Sequence, residues 1–262
     1  MNEGEWVTGT ASISINGVPT ELQVTVPAGP VKPQRMLPIL QKMANAFVEA
    51  SVAVVEAGGK AISCKAGCGA CCRQPVPISE IEVYRIAELV DAMPEPRRTM
   101  VRDRFAAACE HFHSIGWFDR MNAHYGSGQP KETLEDLRAA QAVIVEYFSE
   151  GTSCPFLENG SCSIYDDRPL ICREYLVTSP AENCSAPSAE TVRMIELVAK
   201  PSKAALGLGG TGRLKDYGLL TLIRALEIAA AVPEDFDERP GPQWMDEFLA
   251  RFQAETASQA AN

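Results

Sequence analysis

The chain has 262 residues, 46% of them apolar, which is enough for one large or two small domains with a packed core and excludes disorder throughout. Its 24 Lys+Arg against 34 Asp+Glu leave a net charge of −10, which argues against nucleic acid or an anionic membrane surface as the main partner, since both are held by basic surface. Nine Cys are too few per residue for a small disulfide scaffold, and no run approaches the roughly 18 apolar residues of a membrane span.

The first residues, MNEGEWVTGT, are acidic and polar and lack the basic-then-apolar pattern of a secretion signal. A cytoplasmic protein is expected, in a reducing compartment where thiols hold metal more often than they form disulfides. Residues 6–27 alternate as strands do: Val7, Ile13, Ile15, Leu22, Val24 and Val26 fall mostly two apart, and Asn16–Gly17 supplies a turn. This predicts an N-terminal β-hairpin, followed by a stiff linker at Pro27, Pro30 and Pro33.

From Gln34 to about Gly58 the period becomes helical, with Leu40, Met43, Ala44, Phe47 and Val54 on one face. A Cys-rich loop follows over Ser63–Pro77. The next helix is well signposted: Ser79 with Glu82 fits a capping box, Ile78 with Val83 a hydrophobic staple, and Val83, Ile86, Ala87 and Val90 a buried stripe closed by Pro94. Arg97–Ile115 reads as a helix, and a polar loop then runs to Pro130. Lys131–Glu150 reads as another helix, with Leu137, Ala140, Ile144 and Phe148 inward. A second Cys-rich, helix-poor segment covers Thr152–Pro187. Ala189–Lys200, Lys215–Ala231 and Pro242–Thr256 are expected to be helical, the last burying Trp244, Met245, Phe248 and Phe252. The end, Ser258–Asn262, is expected to fray.

Eight of the nine Cys fall in the two loops, four in each. The first group is Cys64, Cys68, Cys71 and Cys72. The second is Cys154, Cys162, Cys172 and Cys184, with 7, 9 and 11 residues between neighbours. Gaps of two or three residues let a tight turn aim sulfurs at one centre. Gly67 and Gly69 flank Cys68, where the chain must turn sharply. Adjacent side chains such as Cys71 and Cys72 point different ways, which suggests two sites, or one larger cluster with a spare thiolate. Lys65, Arg73, Arg168 and Arg173 lie beside the Cys and are candidates to offset thiolate charge from behind the ligands.

Other features read more blandly. Cys109 and His113 share a helix face and could bind metal, but a core Cys beside surface imidazoles is the simpler reading, and His111 points elsewhere. Gly207–Gly212 has the glycine spacing of a dinucleotide site without its preceding strand, so a helix–helix connection is expected. Asp166–Asp167 reads as a turn before Arg168–Pro169. Cys64, Cys68 and Cys71 match the spacing of radical S-adenosylmethionine enzymes, yet the chain runs helix after helix where that fold alternates strand and helix.

Taken together, CKAGCGACCRQPVPISEIEVYRIAELV and CPFLENGSCSIYDDRPLICREY resemble the CxxCxxCC cysteine-cluster family of putative zinc- or iron-chelating domains over about residues 64–175. The three residues between Cys64 and Cys68 depart from the two in the family's name. The resemblance implies Cys64, Cys68, Cys71, Cys72, Cys154, Cys162 and Cys172 as metal ligands, and Cys184 is added as a candidate. The Cys set is also similar to that of flagellin lysine N-methylases. The second loop has no Cys-x-x-Cys knuckle of the kind zinc ribbons use, whereas iron–sulfur clusters tolerate irregular spacing. An iron–sulfur cluster, 4Fe–4S first, is therefore expected, with zinc as the alternative.

The expected fold is mainly α, with helices around a metal-centred hub of two Cys-rich loops and an N-terminal β-hairpin. Its parts are a hairpin extension (1–30), a cysteine-cluster domain (34–186) and a C-terminal helical segment (187–262). The expected function is metal binding in electron transfer, in metal or cluster handling, or in maturation of a partner protein docked through the hairpin or the C-terminal helices. Neither nucleic acid nor a membrane is expected as partner. The alternatives are a cluster-dependent enzyme that modifies a protein or peptide, and a structural zinc module.

Overall fold

A computed structural model describes residues 4–15, 18–125 and 133–260. Its helices are α1 (Leu37–Ala57), α2 (Glu80–Asp91), α3 (Arg97–Ser114), α4 (Trp117–Tyr125), α5 (Leu134–Ser149), α6 (Leu170–Glu174), α7 (Pro201–Ala205), α8 (Ala225–Ala231) and α9 (Gly241–Ala260). Its strands are β1 (Trp6–Ile15), β2 (Val18–Pro27), β3 (Pro30–Val31), β4 (Leu157–Glu158), β5 (Ser161–Cys162) and β6 (Arg239–Pro240). The molecule is mainly α with an N-terminal antiparallel hairpin, as the hydrophobic periods predict. None of the described helices is long and apolar enough to cross a membrane.

In the hairpin, β1 pairs β2 with Val7 opposite Val26 and Ile13 opposite Thr20. The turn expected at Asn16–Gly17 lies outside the described residues. Ile13, Val24 and Val26 are buried, and the Gln253 amide of α9 donates to Ser12 O at 3.1 Å, so one hairpin face lies on that helix. Gly241 opens α9 where a Cβ would meet Pro27 O at 2.3 Å. The proline linker is tied down: β3 pairs antiparallel with β6.

Along α1 the buried residues Leu37, Leu40, Ala44 and Phe47 follow the predicted stripe. Val54, expected on that face, is 65% exposed. The stripe ends at Ser51, whose hydroxyl donates to Phe47 O and accepts Val198 N–H, and the last turn runs past the core. On α2 the capping box is formed, and both staple residues, Ile78 and Val83, are buried. One core joins the hairpin, α1, α2, Phe156, Leu170 and the α9 residues Trp244, Met245, Phe248 and Phe252.

A second core overturns the expected polar loop after Ile115. Its first part is α4, which buries Trp117, Phe118 and Met121 against Phe112 and Tyr147. The Phe112 and Tyr147 rings stack with centroids 4.4 Å apart, and Trp117 Nε1 donates to Val143 O at 2.8 Å. Those contacts also turn α5. Ala140, Val143 and Tyr147 face inward, while Leu137 of the expected face is 51% exposed. The loop residues 126–132 lie outside the described residues, as do 261–262 of the expected fraying end. Helix α9 continues to Ala260.

The expected helix at Ala189–Lys200 is absent from these described residues. Residues 189–191 form a turn and the rest of the stretch runs without helix: Val177 bridges Met194, Ile195 N–H donates to Leu176 O, and Ile195, Leu197 and Ala199 are buried at a period of two. Lys215–Ala231 is likewise not one helix, because Gly218 at φ 61° interrupts it and only Ala225–Ala231 is α-helical. Gly207–Gly212 forms a connection whose Gly209, at φ 63°, lies against Pro33 and Trp244. Asp166–Asp167 lies in a short 3-10 turn, with Asp167 paired to Arg85 at 3.4 Å.

Candidate metal centre

The first Cys loop is built from small turns. Cys68 N–H donates to Lys65 O and Cys72 N–H to Gly69 O, while Gly67 takes the left-handed φ of 85°. Gly69 is required for a different reason: a Cβ there would stand 2.5 Å from Gly160 O and 2.4 Å from Leu157 Cδ1. Both neighbours belong to the second loop, so the two Cys loops touch backbone to backbone at this point. The seam continues with Cys154 N–H donating to Cys72 O at 2.7 Å. At the other end Ser63 N–H donates to Val177 O, and Val177 N–H donates to Cys64 Sγ at 3.4 Å.

The second loop contains a hairpin that the sequence reading missed. Strands β4 and β5 are joined by Asn159 (φ 50°) and Gly160 (φ 78°), the two positive-φ positions of a tight hairpin turn. The Asn-Gly pair was the available signal. The hairpin sets Cys162 opposite Leu157. Cys172 rides on α6, a helix of one turn and a half that is fixed by partners far away in the chain. At its start Leu170 N–H donates to Glu82 Oε1 at 2.8 Å. At its end Glu174 accepts the N–H of Ser202 at 2.7 Å and the Ser202 hydroxyl. Gln41 of α1 donates to the carbonyls of Asp167 and Arg168 just before it.

These elements enclose a cavity of about 270 Å³ whose wall carries Cys64, Cys68, Cys71, Cys72, Cys154, Cys162 and Cys172. Seven thiols from two distant segments therefore face one space. None of the nine Cys is in a disulfide. Cys184 is buried in a 3-10 turn (Ala181–Ser185) outside the wall; burial raises its thiol pKa, and Tyr175, which is part of the wall, opposes that rise. Cys109 stands apart on α3, where its Sγ donates to Ile223 O at 2.9 Å. His111 pairs with Glu150 and His113 with Glu227, each at 2.7 Å, so the described structure gives this trio no joint ligand role. Among the described residues, no group of three or more His, Cys, Asp or Glu side chains, the wall cysteines included, is gathered closely enough to hold a metal ion.

The thiols are electrostatically coupled. Burial pushes Cys154 up to about 12, with Cys162 and Cys71 adding to the rise. Cys172 is pushed well above the usual thiol range by burial and then by Cys154, Cys71 and Cys162. Cys71 is raised by its hydrogen bond with Cys72 and by burial. Burial raises Cys64 and Cys162 too, against the opposing pull of Arg168 on both. Crowded buried thiols thus hold their protons, and a cation among them reverses that preference.

The basic residues expected behind the ligands divide. Arg73 is not on the cavity wall, whereas Lys65, Arg168 and Arg173 are. Arg173 is 5% exposed and spends its donors on oxygen: Nε on Arg168 O at 3.1 Å, Nη1 on Asn45 Oδ1 at 3.0 Å and Nη2 on Asp166 O. It therefore braces the turn that carries Arg168. Glu82, also buried, is pushed up by burial against the bonds it accepts from Ser79 and Leu170.

Residues 63–189 match the CxxCxxCC family model, described as a putative zinc- or iron-chelating domain. The match reaches further than the resemblance in the sequence and takes in Cys184. No curated protein is significantly similar to the chain. No solved structure is significantly similar either.

Proposed function

Because residues 63–189 carry a domain of the CxxCxxCC zinc- or iron-chelating family, we propose that the seven wall cysteines hold a thiolate-ligated metal centre, an iron–sulfur cluster in the first reading. The observation that carries this is the convergence of Cys64, Cys68, Cys71, Cys72, Cys154, Cys162 and Cys172 on one cavity. The donor set fits the group. It is all sulfur, which selects zinc or iron–sulfur over hard cations. Seven thiols exceed the four of a structural zinc site, and the cavity has room for more than a single ion. An iron–sulfur core would supply one-electron chemistry at a potential set by charge and hydrogen bonds around the sulfurs.

What the chain's own residues do is separate from that chemistry. The Glu82 and Glu174 bonds orient α6 and with it Cys172. Phe156, Ile164 and Leu222 shield the thiols from water on the apolar part of the wall. Cys184 is a further candidate ligand, and its approach to the wall is through Tyr175. The role we propose is electron transfer, or metal or cluster handling for a cytoplasmic partner protein. The outer hairpin face, with Trp6 58% exposed, or the C-terminal helices would dock that partner. Anaerobic purification with iron, zinc and acid-labile sulfide analysis and a visible spectrum tests the reading. Brown protein with matched iron and sulfide supports it. Colourless protein with stoichiometric zinc overturns the iron–sulfur choice, and protein with neither metal overturns the whole proposal.

A further inference from the structure

We infer that Arg168 is the charge-neutralising residue of this centre, aiming a buried N–H at the bound metal–sulfur group; this rests on the metal-binding reading above. Buried donors are almost always satisfied, so an orphan needs a cause. Arg168 Nε is buried and has no hydrogen-bond partner, and the residue lies on the cavity wall. Its guanidinium sits over the Tyr165 ring at 4.1 Å, which fixes its plane, and Arg173 grips its carbonyl oxygen. Arg168 makes no ion pair among the described residues. The other basic groups are not available in the same way: Arg173 has committed its donors to oxygen, and Lys65 is exposed.

The wall points to the sign of the occupant. It includes Lys65, Arg168 and Arg173 and no Asp or Glu, in a chain that has 34 Asp+Glu and a net charge of −10. A site so stripped of carboxylate fits an occupant with excess negative charge. Metal centres ringed by thiolates have that charge, and their sulfurs accept N–H bonds. Arg168 acts through the ligands as a positioning residue and is not itself a ligand.

The consequence is an effect of opposite sign in the two forms of the protein. With metal bound, Arg168→Met removes a donor and a counter-charge, and the metal is expected to leave to a chelator at least about tenfold faster, in the range found when partners behind metal ligands are removed. Without metal, the same change removes an unsatisfied buried donor, so the metal-free variant is expected to unfold at the same or a higher denaturant concentration than metal-free wild type. A bracing side chain would instead weaken both forms alike. Arg168→Lys keeps the charge without the planar fork and is expected to fall between; it also serves if the Met variant does not fold.

The experiment uses the full chain and measures iron, zinc and sulfide content, release to EDTA, and urea unfolding before and after metal removal. Faster release together with undiminished metal-free stability supports the inference. Release from Arg168→Met at the wild-type rate overturns it, as does equal destabilisation of both forms. Wild-type protein that takes up neither iron nor zinc overturns the metal-binding reading itself, a result distinguishable from a failure at Arg168 alone.

Discussion

Replacing Glu82 with Ala tests whether α6 is held in place by a carboxylate from another helix. Glu82 Oε2 accepts Ser79 N–H and the Ser79 hydroxyl, each at 2.8 Å, and its Oε1 accepts Leu170 N–H at 2.8 Å. The Ala variant loses one half of a capping box, a loss of about 1 kcal/mol. It also strands the buried Leu170 N–H, for roughly another 1–3 kcal/mol. Against this, removing a fully buried carboxylate relieves its desolvation, which already pushes its pKa up. The net expectation is about 2 kcal/mol lost, or roughly 4–8 °C in Tm for a chain of this size. Glu82→Gln retains one acceptor but turns an amide N–H toward a donor, and about 1 kcal/mol is expected. The assay is urea unfolding of reduced, metal-free protein, followed by metal loading. A loss below about 0.5 kcal/mol in Glu82→Ala, within the range of neutral surface changes, refutes the claim that this carboxylate fastens Cys172's helix.

Three further expectations follow from the geometry. Cys72→Ser should lower bound metal measured by elemental analysis, while Cys109→Ser, whose thiol faces Ile223 O and lies off the cavity wall, should leave it unchanged. Gly69→Ala should destabilise by roughly 1–3 kcal/mol and cut metal content, because its Cβ would collide with Gly160 O at 2.5 Å and force the loops apart; wild-type unfolding and loading would contradict this. Glu227 is pulled below its ordinary value because the bonds from Arg224 and His113 outweigh the burial that raises it. A depressed carboxyl contributes stability that is present above its unfolded pKa of about 4.5 and is lost as pH falls through the lower folded value. Glu227→Gln should therefore flatten the acid limb of the stability profile below about pH 4.5, and an unchanged limb in pH-dependent unfolding would count against the Arg224–Glu227–His113 link.

What the sequence could reveal follows from the range of each interaction. The capping box at Ser79 and Glu82, the α9 stripe Trp244–Met245–Phe248–Phe252 and the hairpin of residues 6–27 are local patterns, and each forms as read. Ala189–Lys200 misleads because its inward residues alternate while its composition suits a helix; only pairing with Leu176 and Val177 decides against the helix. Helix α4 was hidden by the polar stretch that follows it, and the rotation of α5 depends on an aromatic partner, Phe112, in another helix. At the site, the Cys spacing located both loops, since sulfur chemistry is written in residue type. The identity of the groups that hold the loops was not legible. Gly69 against Gly160, Glu82 on Leu170 and Glu174 on Ser202 are all pairings across long stretches of chain.

Those pairings are distributed unevenly, and the unevenness bears on how a metal would be taken up. Cys172 sits on a helix of five residues, far too short to persist alone, and two buried carboxylates and Gln41 fix it without any metal. Cys162 is set by a tight hairpin, and Cys154 by a backbone bond to Cys72. The first loop is tied at its ends and through Gly69, Cys72 O and Val76 O, but between Cys64 and Gly69 it has only its own small turns. Fixing a residue's backbone costs roughly 1–2 kcal/mol in entropy, so any ordering that metal binding supplied would fall mainly on Lys65–Cys68. If the proposed centre is bound, the second loop would be its more preformed side and Cys68 the candidate ligand with the fewest ties outside its own turn. On the proposed metal-handling role, such a division would let a centre enter or leave with movement of the less restrained wall alone.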